Sequence, residues 1–479
     1  MDCGARVQSR SRAGGDLVLN EASSELVVRS PFDGSEVGRL QRPSLHTVEQ
    51  AIAGAAAVFP KTRRIPTFER AAILRKIADT LRVRNESLAR TLAREAGKPI
   101  KAARTEAERA VATFLSAASE VERRAGDVLP LDVNEASLGR WGVLRRVPVG
   151  PVCAITPFNF PLNLCAHKVA PAIAVGAPIV HKPASQTPLS ALALAEIVHE
   201  AGWPAEAYVV LPVTGEAGEK IALDPRLPIV SFTGSAEVGW RLKGLAPKKR
   251  VWLELGGNAA AIVHSDADVA SAAARCAAGG FGYAGQSCIA LQRTLVHRPV
   301  FAAFRDAFVA ATRKLTSGDP LDDSTDVGPM ISTADADRIE SWLEEAVAQG
   351  AELLCGGKRT GNVIEPMVLV NTKREMRVEC EEVFGPIVTL SPYDTFAEAL
   401  QRANDSRFGL QAGLFTQDID RIQQAFDTLE VGGLIVNDVP TWRADRMPYG
   451  GVKDSGVGRE GPAYAMDEYT EPRLLVFKS

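Results

Sequence analysis

The chain has 479 residues, 46% hydrophobic and 24% charged, with a formal net charge of −3. These fractions exclude a largely disordered, collagen-like or low-complexity protein, and the length predicts two to four domains with cores large enough to need no disulfide or metal staple. The near-balanced charge leaves no electrostatic footprint for nucleic acid or an anionic membrane.

In chain order, residues 1–18 are polar and read as a flexible N-terminal tail, with no apolar stretch of signal-peptide length. Residues 47–126 are Ala-rich, with apolar positions three and four apart, and predict a set of helices. Residues 147–167 carry no Lys, Arg, Asp or Glu, but Pro148, Pro151, Pro157 and Pro161 would break a transmembrane helix there. A buried strand and loop is expected instead. From residue 143 short apolar runs (152–155, 179–180, 208–211, 229–232) alternate with helical stretches (to 172, 189–201, 216–223, 236–245), the texture of a doubly wound parallel sheet. The alternation resumes after Asn258, with helices at 267–279, 300–315, 335–350, 396–404 and 418–429. Strands are expected there at 294–297, 388–390, 413–416 and 434–436. Two α/β domains in series, divided near Gly256-Gly257, are expected. The apolar strand at 474–477 falls outside both and is of the kind that pairs with another subunit.

Seven scattered cysteines (Cys3, Cys153, Cys165, Cys276, Cys288, Cys355 and Cys380) contain no C-x-x-C pair. They fit neither a disulfide framework nor structural zinc, and predict a reducing, cytoplasmic compartment. The six histidines show no H-E-x-x-H spacing, so no metal site is expected. Two stretches match G-x-G-x-x-G, at Gly280–Gly285 and Gly456–Gly461, but neither links a strand to a helix within a βαβ unit. A better anion site is Thr233-Gly234-Ser235, where an expected strand meets a helix N-terminus; Ser235 could equally be only an N-cap. Lys182, at the end of the neighbouring strand, sits where doubly wound sheets bind ligands, or is a surface lysine.

Cys288, in Gly285-Gln286-Ser287-Cys288, reads as a thiol at a loop-to-helix transition, where backbone N–H groups would lower its pKa; a buried inert cysteine is the alternative. Glu254, between apolar neighbours, is expected to have a raised pKa suited to a general base, or to be a solvent-facing strand end. Asn159, in a proline-fixed loop, could donate to an oxyanion or simply tie the loop down.

Taken in order, Pro157-Phe158-Asn159-Phe160-Pro161, Lys182-Pro183, Phe232-Thr-Gly-Ser235, Leu253-Glu-Leu-Gly-Gly-Asn258, Gly285-Gln-Ser-Cys288, Glu381-Glu-Val-Phe-Gly-Pro386 and Pro448-Tyr-Gly-Gly-Val-Lys453 resemble the aldehyde dehydrogenase superfamily from about residue 19 onward. The resemblance includes the branch acting on lactaldehyde or phosphonoacetaldehyde. It implies an α/β fold with a Rossmann-type doubly wound NAD(P)-binding domain (19–129 and 149–256) and an α/β catalytic domain (257–450). A small β oligomerisation element (130–148 and 468–479) would complete a homodimer or homotetramer.

By that resemblance Cys288 is the nucleophile that forms a thiohemiacetal and then a thioester, Asn159 holds the oxyanion, and Glu254 activates the hydrolytic water. Thr156, Pro157, Lys182, Ser185, Gly234, Ser235, Glu382 and Phe384 would contact NAD or NADP. Serine at 185, where many NAD-preferring members carry glutamate, removes a charge that would repel a 2′-phosphate. Phe160, Leu164, His167, Ser287, Ile289, Arg443 and Tyr449 would line the substrate pocket. Arg443, Arg446 and Arg109 would suit a short polar or anionic aldehyde, or else form salt bridges. Acyl transfer to coenzyme A and a non-catalytic binding protein are the alternatives; Glu254 argues against the first, and the intact trio against the second.

Overall fold

A computed structural model describes residues 25–479; the expected flexible tail and Cys3 lie outside the described residues. A hairpin (Glu25–Arg29 with Glu36–Gln41) leads into four helices, Leu45–Thr62, Thr67–Val83, Asn85–Ala96 and Ile100–Arg123. These are the helices expected from the 47–126 periodicity. The Ala and Leu stripes of the Thr67–Val83 and Ile100–Arg123 helices are buried against the Asn163–Val175 helix, which is itself buried along its whole length, whereas Val48, Ala51, Ile52 and Ala55 of the first helix pack with Cys153 and Val180 of the first sheet.

The first sheet has six strands in the order Gly456–Val457, Arg250–Glu254, Ile229–Thr233, Val152–Ile155, Ile179–Lys182 and Tyr208–Val210. All neighbours are parallel except the Gly456–Val457 strand. From Val152–Ile155 the chain winds to one side through Lys182 and Val210, then returns to the other side through Thr233 and Glu254. The switch point therefore lies between Val152–Ile155 and Ile229–Thr233, and the carboxyl ends of these strands face the crevice where such sheets bind ligands.

The second sheet has seven strands, from Glu352–Cys355 through Met367–Val370, Ile387–Tyr393, Leu291–His297, Ala259–Val263 and Gln411–Phe415 to Gly433–Val436. Only the first pair is antiparallel. The last strand of the first sheet ends at Glu254 and the first strand of the second begins at Ala259. The arrangement departs from simple succession in one respect: Gly456–Val457 returns from the far end of the chain to pair with Leu253 and Glu254.

A third sheet joins Asp127–Pro130, Arg140–Pro148 and Thr470–Lys478, all antiparallel. It leaves Leu474, Leu475, Val476 and Phe477 exposed, with Trp141 stacked on Phe477 at 4.5 Å. Among the described residues no helix is long and apolar enough to cross a membrane.

Candidate active site

Cys288 follows a tight turn, Gly282–Gly285, and precedes the Leu291–His297 strand. No helix starts at the thiol, so the loop-to-helix expectation fails, and with it the expected lowering of the pKa. Burial, and then the Glu254 carboxylate, push the Cys288 thiol well above its ordinary value; the Tyr449 hydroxyl, 2.9 Å from Sγ, and Arg443 oppose this. The sulfur therefore rests as a thiol that needs a base. The turn places Tyr283 and Ala284 at φ of 52° and 53°, uncommon for residues with a Cβ, and the Tyr283 hydroxyl anchors it by donating to Ala96 O at 2.7 Å.

The Leu-Gly-Gly-Asn run is read by its neighbours. A Cβ at Gly257 would lie 2.3 Å from the Cys288 carbonyl oxygen, and one at Gly256 only 2.2 Å from Glu382 Oε2. Both glycines let other strands of chain approach the Glu254 strand end. Asn258 donates to Glu379 O at 2.7 Å and accepts from Arg293 Nε at 2.6 Å, which ties the link after Glu254 to the second sheet.

Glu254 is only 4% exposed, and neither carboxylate oxygen has a hydrogen-bond partner. The solvent-facing alternative is thereby excluded. Burial, then the negative charge of Glu460, raise its pKa against the pull of Arg443, the Cys288 thiol and Lys168. Lys168 Nζ lies 3.2 Å from Glu460 Oε1 and donates to Ser231 Oγ at 3.1 Å, while Arg443 donates to Glu460 Oε2 at 3.2 Å. His167, Lys168, Glu254, Tyr449 and Glu460 share a pocket of about 20 Å³, room for one water.

Lys168 and Glu460 were not singled out in the sequence. Glu460 sits inside the second G-x-G-x-x-G match, whose Gly458 is needed because a Cβ there would lie 1.9 Å from Trp252. The glycines serve packing, and the glutamate between them is the chemically interesting residue. Nothing in the sequence near it signals this, since Lys168 and Glu254 lie more than 200 residues before it and Arg443, 17 residues before it, carries no motif that links the two.

Asn159 is 3% exposed; its Nδ2 donates to Gln286 O at 3.0 Å, two residues before Cys288, and its Oδ1 is buried without a partner. The loop that carries it is held from below by Glu106, whose Oε1 accepts from Leu162 N (2.9 Å) and Asn163 N (3.1 Å). Glu106 in turn pairs with the fully buried Lys98, whose ammonium lies 3.7 Å from the Phe160 ring centre.

Of the expected pocket residues, Tyr449 and Ile289 form one apolar cluster against Cys288, together with Leu410, which the sequence did not suggest. Phe160 and Ser287 are partly exposed, and Leu164 is buried. His167 is buried and bonded to Asp445 Oδ1 at 2.9 Å and to Arg443 at 3.2 Å. Arg109 is gripped by both oxygens of Asp445, at 3.1 and 2.8 Å. Arg109 and Arg443 are thus ion-paired within the chain, whereas Arg446 is exposed.

The expected cofactor residues gather at the carboxyl ends of the first sheet. Ser235 occupies the N-cap of the Ala236–Leu245 helix, yet its hydroxyl makes no capping bond, so the plain N-cap alternative fails; Thr233 Oγ1 is buried without a partner beside it. Thr156 bonds His181 through its hydroxyl at 2.8 Å and Lys182 O through its N–H, while Pro157 follows it in the loop, partly exposed. Lys182 donates to Pro183 O; burial and the nearby Arg42 push its pKa down to about 8. Arg42 Nη1 is buried without a partner, a residue the sequence did not suggest. Ser185 is half-buried in the turn beyond Lys182. Glu382 accepts from Gly257 N at 2.9 Å and is raised to about 7 by burial; Phe384, at φ 46°, meets Phe158 edge-on. These unmatched donors fit a dinucleotide carrying phosphate. Among the described residues no cluster of three His, Cys, Asp or Glu could hold a metal ion.

A family model described as the aldehyde dehydrogenase family matches residues 18–475. The chain is 45% identical over 430 residues to the 3-sulfolactaldehyde dehydrogenase of Priestia aryabhattai, covering 90% of each. Among solved structures, aldehyde dehydrogenase 21 from Physcomitrella patens, in complex with the reaction product succinate, is 43% identical with a TM-score of 0.93 over 96% of each chain. The glyceraldehyde-3-phosphate dehydrogenase of Methanocaldococcus jannaschii, complexed with NADP, is 38% identical with a TM-score of 0.91, over 95% of this chain and 99% of its own.

Proposed function

This chain belongs to the aldehyde dehydrogenase family and is an NAD(P)-dependent aldehyde dehydrogenase, and from that premise we propose that it oxidises short aldehydes bearing an anionic group such as a sulfonate or carboxylate, with Cys288 as nucleophile. The observation that carries the assignment is the convergence of a buried, unpartnered Glu254 carboxylate, the Cys288 thiol and the Asn159 amide at one point between the two sheets.

Glu254 takes the Cys288 proton, and the sulfur adds to the aldehyde carbon to give a thiohemiacetal. Its oxyanion is held by Asn159 Nδ2 and the Cys288 N–H, preorganised donors of the kind that strengthen as charge develops. The bound nicotinamide supplies the hydride acceptor. Cys288 is left as a thioester, which Glu254 hydrolyses by taking a proton from water, and the carboxylate leaves. Glu254 releases the first proton before it takes the second, and the small pocket it shares with Lys168 and Glu460 has room for a water to carry it away.

Lys182, Ser235, Gly234 and the backbone around Thr156 and Pro157 hold the adenosine and pyrophosphate, and Glu382 and Phe384 the nicotinamide half. NADP is preferred. Lys182, three residues before Ser185, feels the charge of Arg42, whose buried Nη1 lacks a partner. The substrate's charged end lies toward Arg109, Arg443 and Arg446, the first two sharing with it the charge they already direct at Asp445 and Glu460. The division of labour follows: 19–129 and 149–256 bind the dinucleotide, 257–450 carry the catalytic thiol, and 130–148 with 468–479 build a homodimer or homotetramer. A reducing cytoplasm suits six described cysteines that form no disulfide.

Initial rates test this with a panel of short aldehydes, charged and neutral at equal length, and both dinucleotides. The expected result is at least a tenfold higher kcat/KM for the charged aldehydes and for NADP, free carboxylate as product even with coenzyme A present, and no turnover in Cys288→Ser. Equal kcat/KM for neutral substrates, or acyl-CoA as product, would overturn it.

A further inference from the structure

Tyr449 places its hydroxyl 2.9 Å from the Cys288 sulfur. Its ring is clamped on several sides. The Arg443 guanidinium carbon lies 3.6 Å from the ring centre, and Ile289 and Leu410 pack beside it. Its backbone is bonded in both directions to Glu460, Tyr449 N to Glu460 O at 3.0 Å and Glu460 N to Tyr449 O at 2.6 Å. The hydroxyl therefore has little freedom to turn away from the sulfur.

A phenol can accept a hydrogen bond from a thiol or donate one to a thiolate, but a thiolate can only accept. The bond gains charge assistance when the sulfur ionises, so the contact favours the ionised form. A guanidinium on the ring face draws electron density from the phenol and strengthens it as a donor. Glu254 opposes ionisation directly, Arg443 favours it, and Glu460 and Lys168 act through Glu254.

We propose that Tyr449 is a catalytic residue of the oxidation, whose hydroxyl donates to the Cys288 sulfur and holds it as the attacking thiolate, with Arg443 on its ring reinforcing that donor. This rests on Cys288 being the nucleophile. The Sγ–H bond breaks, the proton goes to Glu254, the electron pair stays on sulfur, and the Tyr449 O–H bond remains intact throughout. Formation of the S–C bond removes the charge from sulfur and relaxes the contact.

Tyr449→Phe removes one oxygen and keeps the ring between Arg443 and Leu410. The test is the pH dependence of Cys288 alkylation by iodoacetamide, followed on the Cys288 peptide by mass spectrometry, with NADP affinity as the check on folding. The expected result is an apparent pKa higher by about one unit, hence about tenfold slower alkylation at pH 7, with kcat/KM falling in parallel and NADP affinity unchanged. Superimposable alkylation profiles, or a raised aldehyde KM with an unchanged profile, would overturn the proposal and leave Tyr449 a wall of the pocket. Turnover by Cys288→Ser would instead sink the nucleophile assignment, an outcome the alkylation profile of Tyr449→Phe cannot mimic.

Discussion

The base proposed for the reaction, Glu254, sits in a place that resists negative charge. Burial and Glu460 raise its pKa above the ordinary carboxylate range, so its charged form becomes common only as the pH approaches neutrality. Steady-state kcat should therefore rise with pH through that raised pKa, and Glu254→Gln should lower kcat by about 100- to 10,000-fold and flatten the profile. Stability runs the other way. A carboxyl whose folded pKa exceeds its unfolded one contributes most below the unfolded value, and that contribution is lost as pH rises through the folded value. Glu254→Gln should then melt above the wild type at pH 8, with the gap closing near pH 4; thermal melts at the two pH values check the sign. Glu254 and Asn159 were legible in the sequence because polar residues in apolar or proline-fixed surroundings stand out locally. The environment of Cys288 was not, because what sets it is Glu254, Tyr449 and Arg443, brought in from 34 residues before it to 161 after it. Arg42, Lys168 and Glu460 were missed for the same reason.

The Asn159 loop depends on a helix that touches no reacting atom. Glu106, on the Ile100–Arg123 helix, accepts the Leu162 and Asn163 N–H groups while neutralising Lys98, and both charged side chains are only 1% exposed. Removing one partner of a buried ion pair strands the other, so Glu106→Gln should cost about 3–5 kcal/mol, read as a lower urea midpoint. It should also lower kcat more than it changes NADP affinity, because the loop it supports carries Asn159. Most elements were legible from their period: the helices at 236–245 and 396–404 and the strand at 152–155 fall where the pattern put them. The Ala259–Val263 strand was not, because Ala-Ala-Ala-Ile-Val has no strand-like alternation and is extended only by its two parallel neighbours. The Glu352–Cys355 and Met367–Val370 pair was also missed, short runs whose register is set by each other and by the sheet they extend.

At the scale of the molecule, the exposed Leu474–Phe477 row lies on a strand already hydrogen-bonded to Arg140–Pro148, so its apolar side chains, more than its backbone, call for a cover. If the proposed oligomer covers them, Leu475→Asp, at a position 58% exposed in the single chain, should leave that chain folded yet shift its mass toward 51.2 kDa in light scattering. An unchanged assembly would remove this sheet from the interface. The return of the chain from Gly456 to the edge of the first sheet has another consequence, for biosynthesis. Glu460 follows Cys288 by about 170 residues, so at about 5–20 residues per second the thiol emerges from the ribosome roughly 10–35 s ahead of it. For that interval the nascent chain carries an ordinary cysteine, with neither Tyr449 at its sulfur nor Arg443 and Glu460 behind it. Chains abandoned before Arg443 lack Tyr449 beside the sulfur and Glu460 beside Glu254, so the proposed centre is complete only when translation has nearly finished.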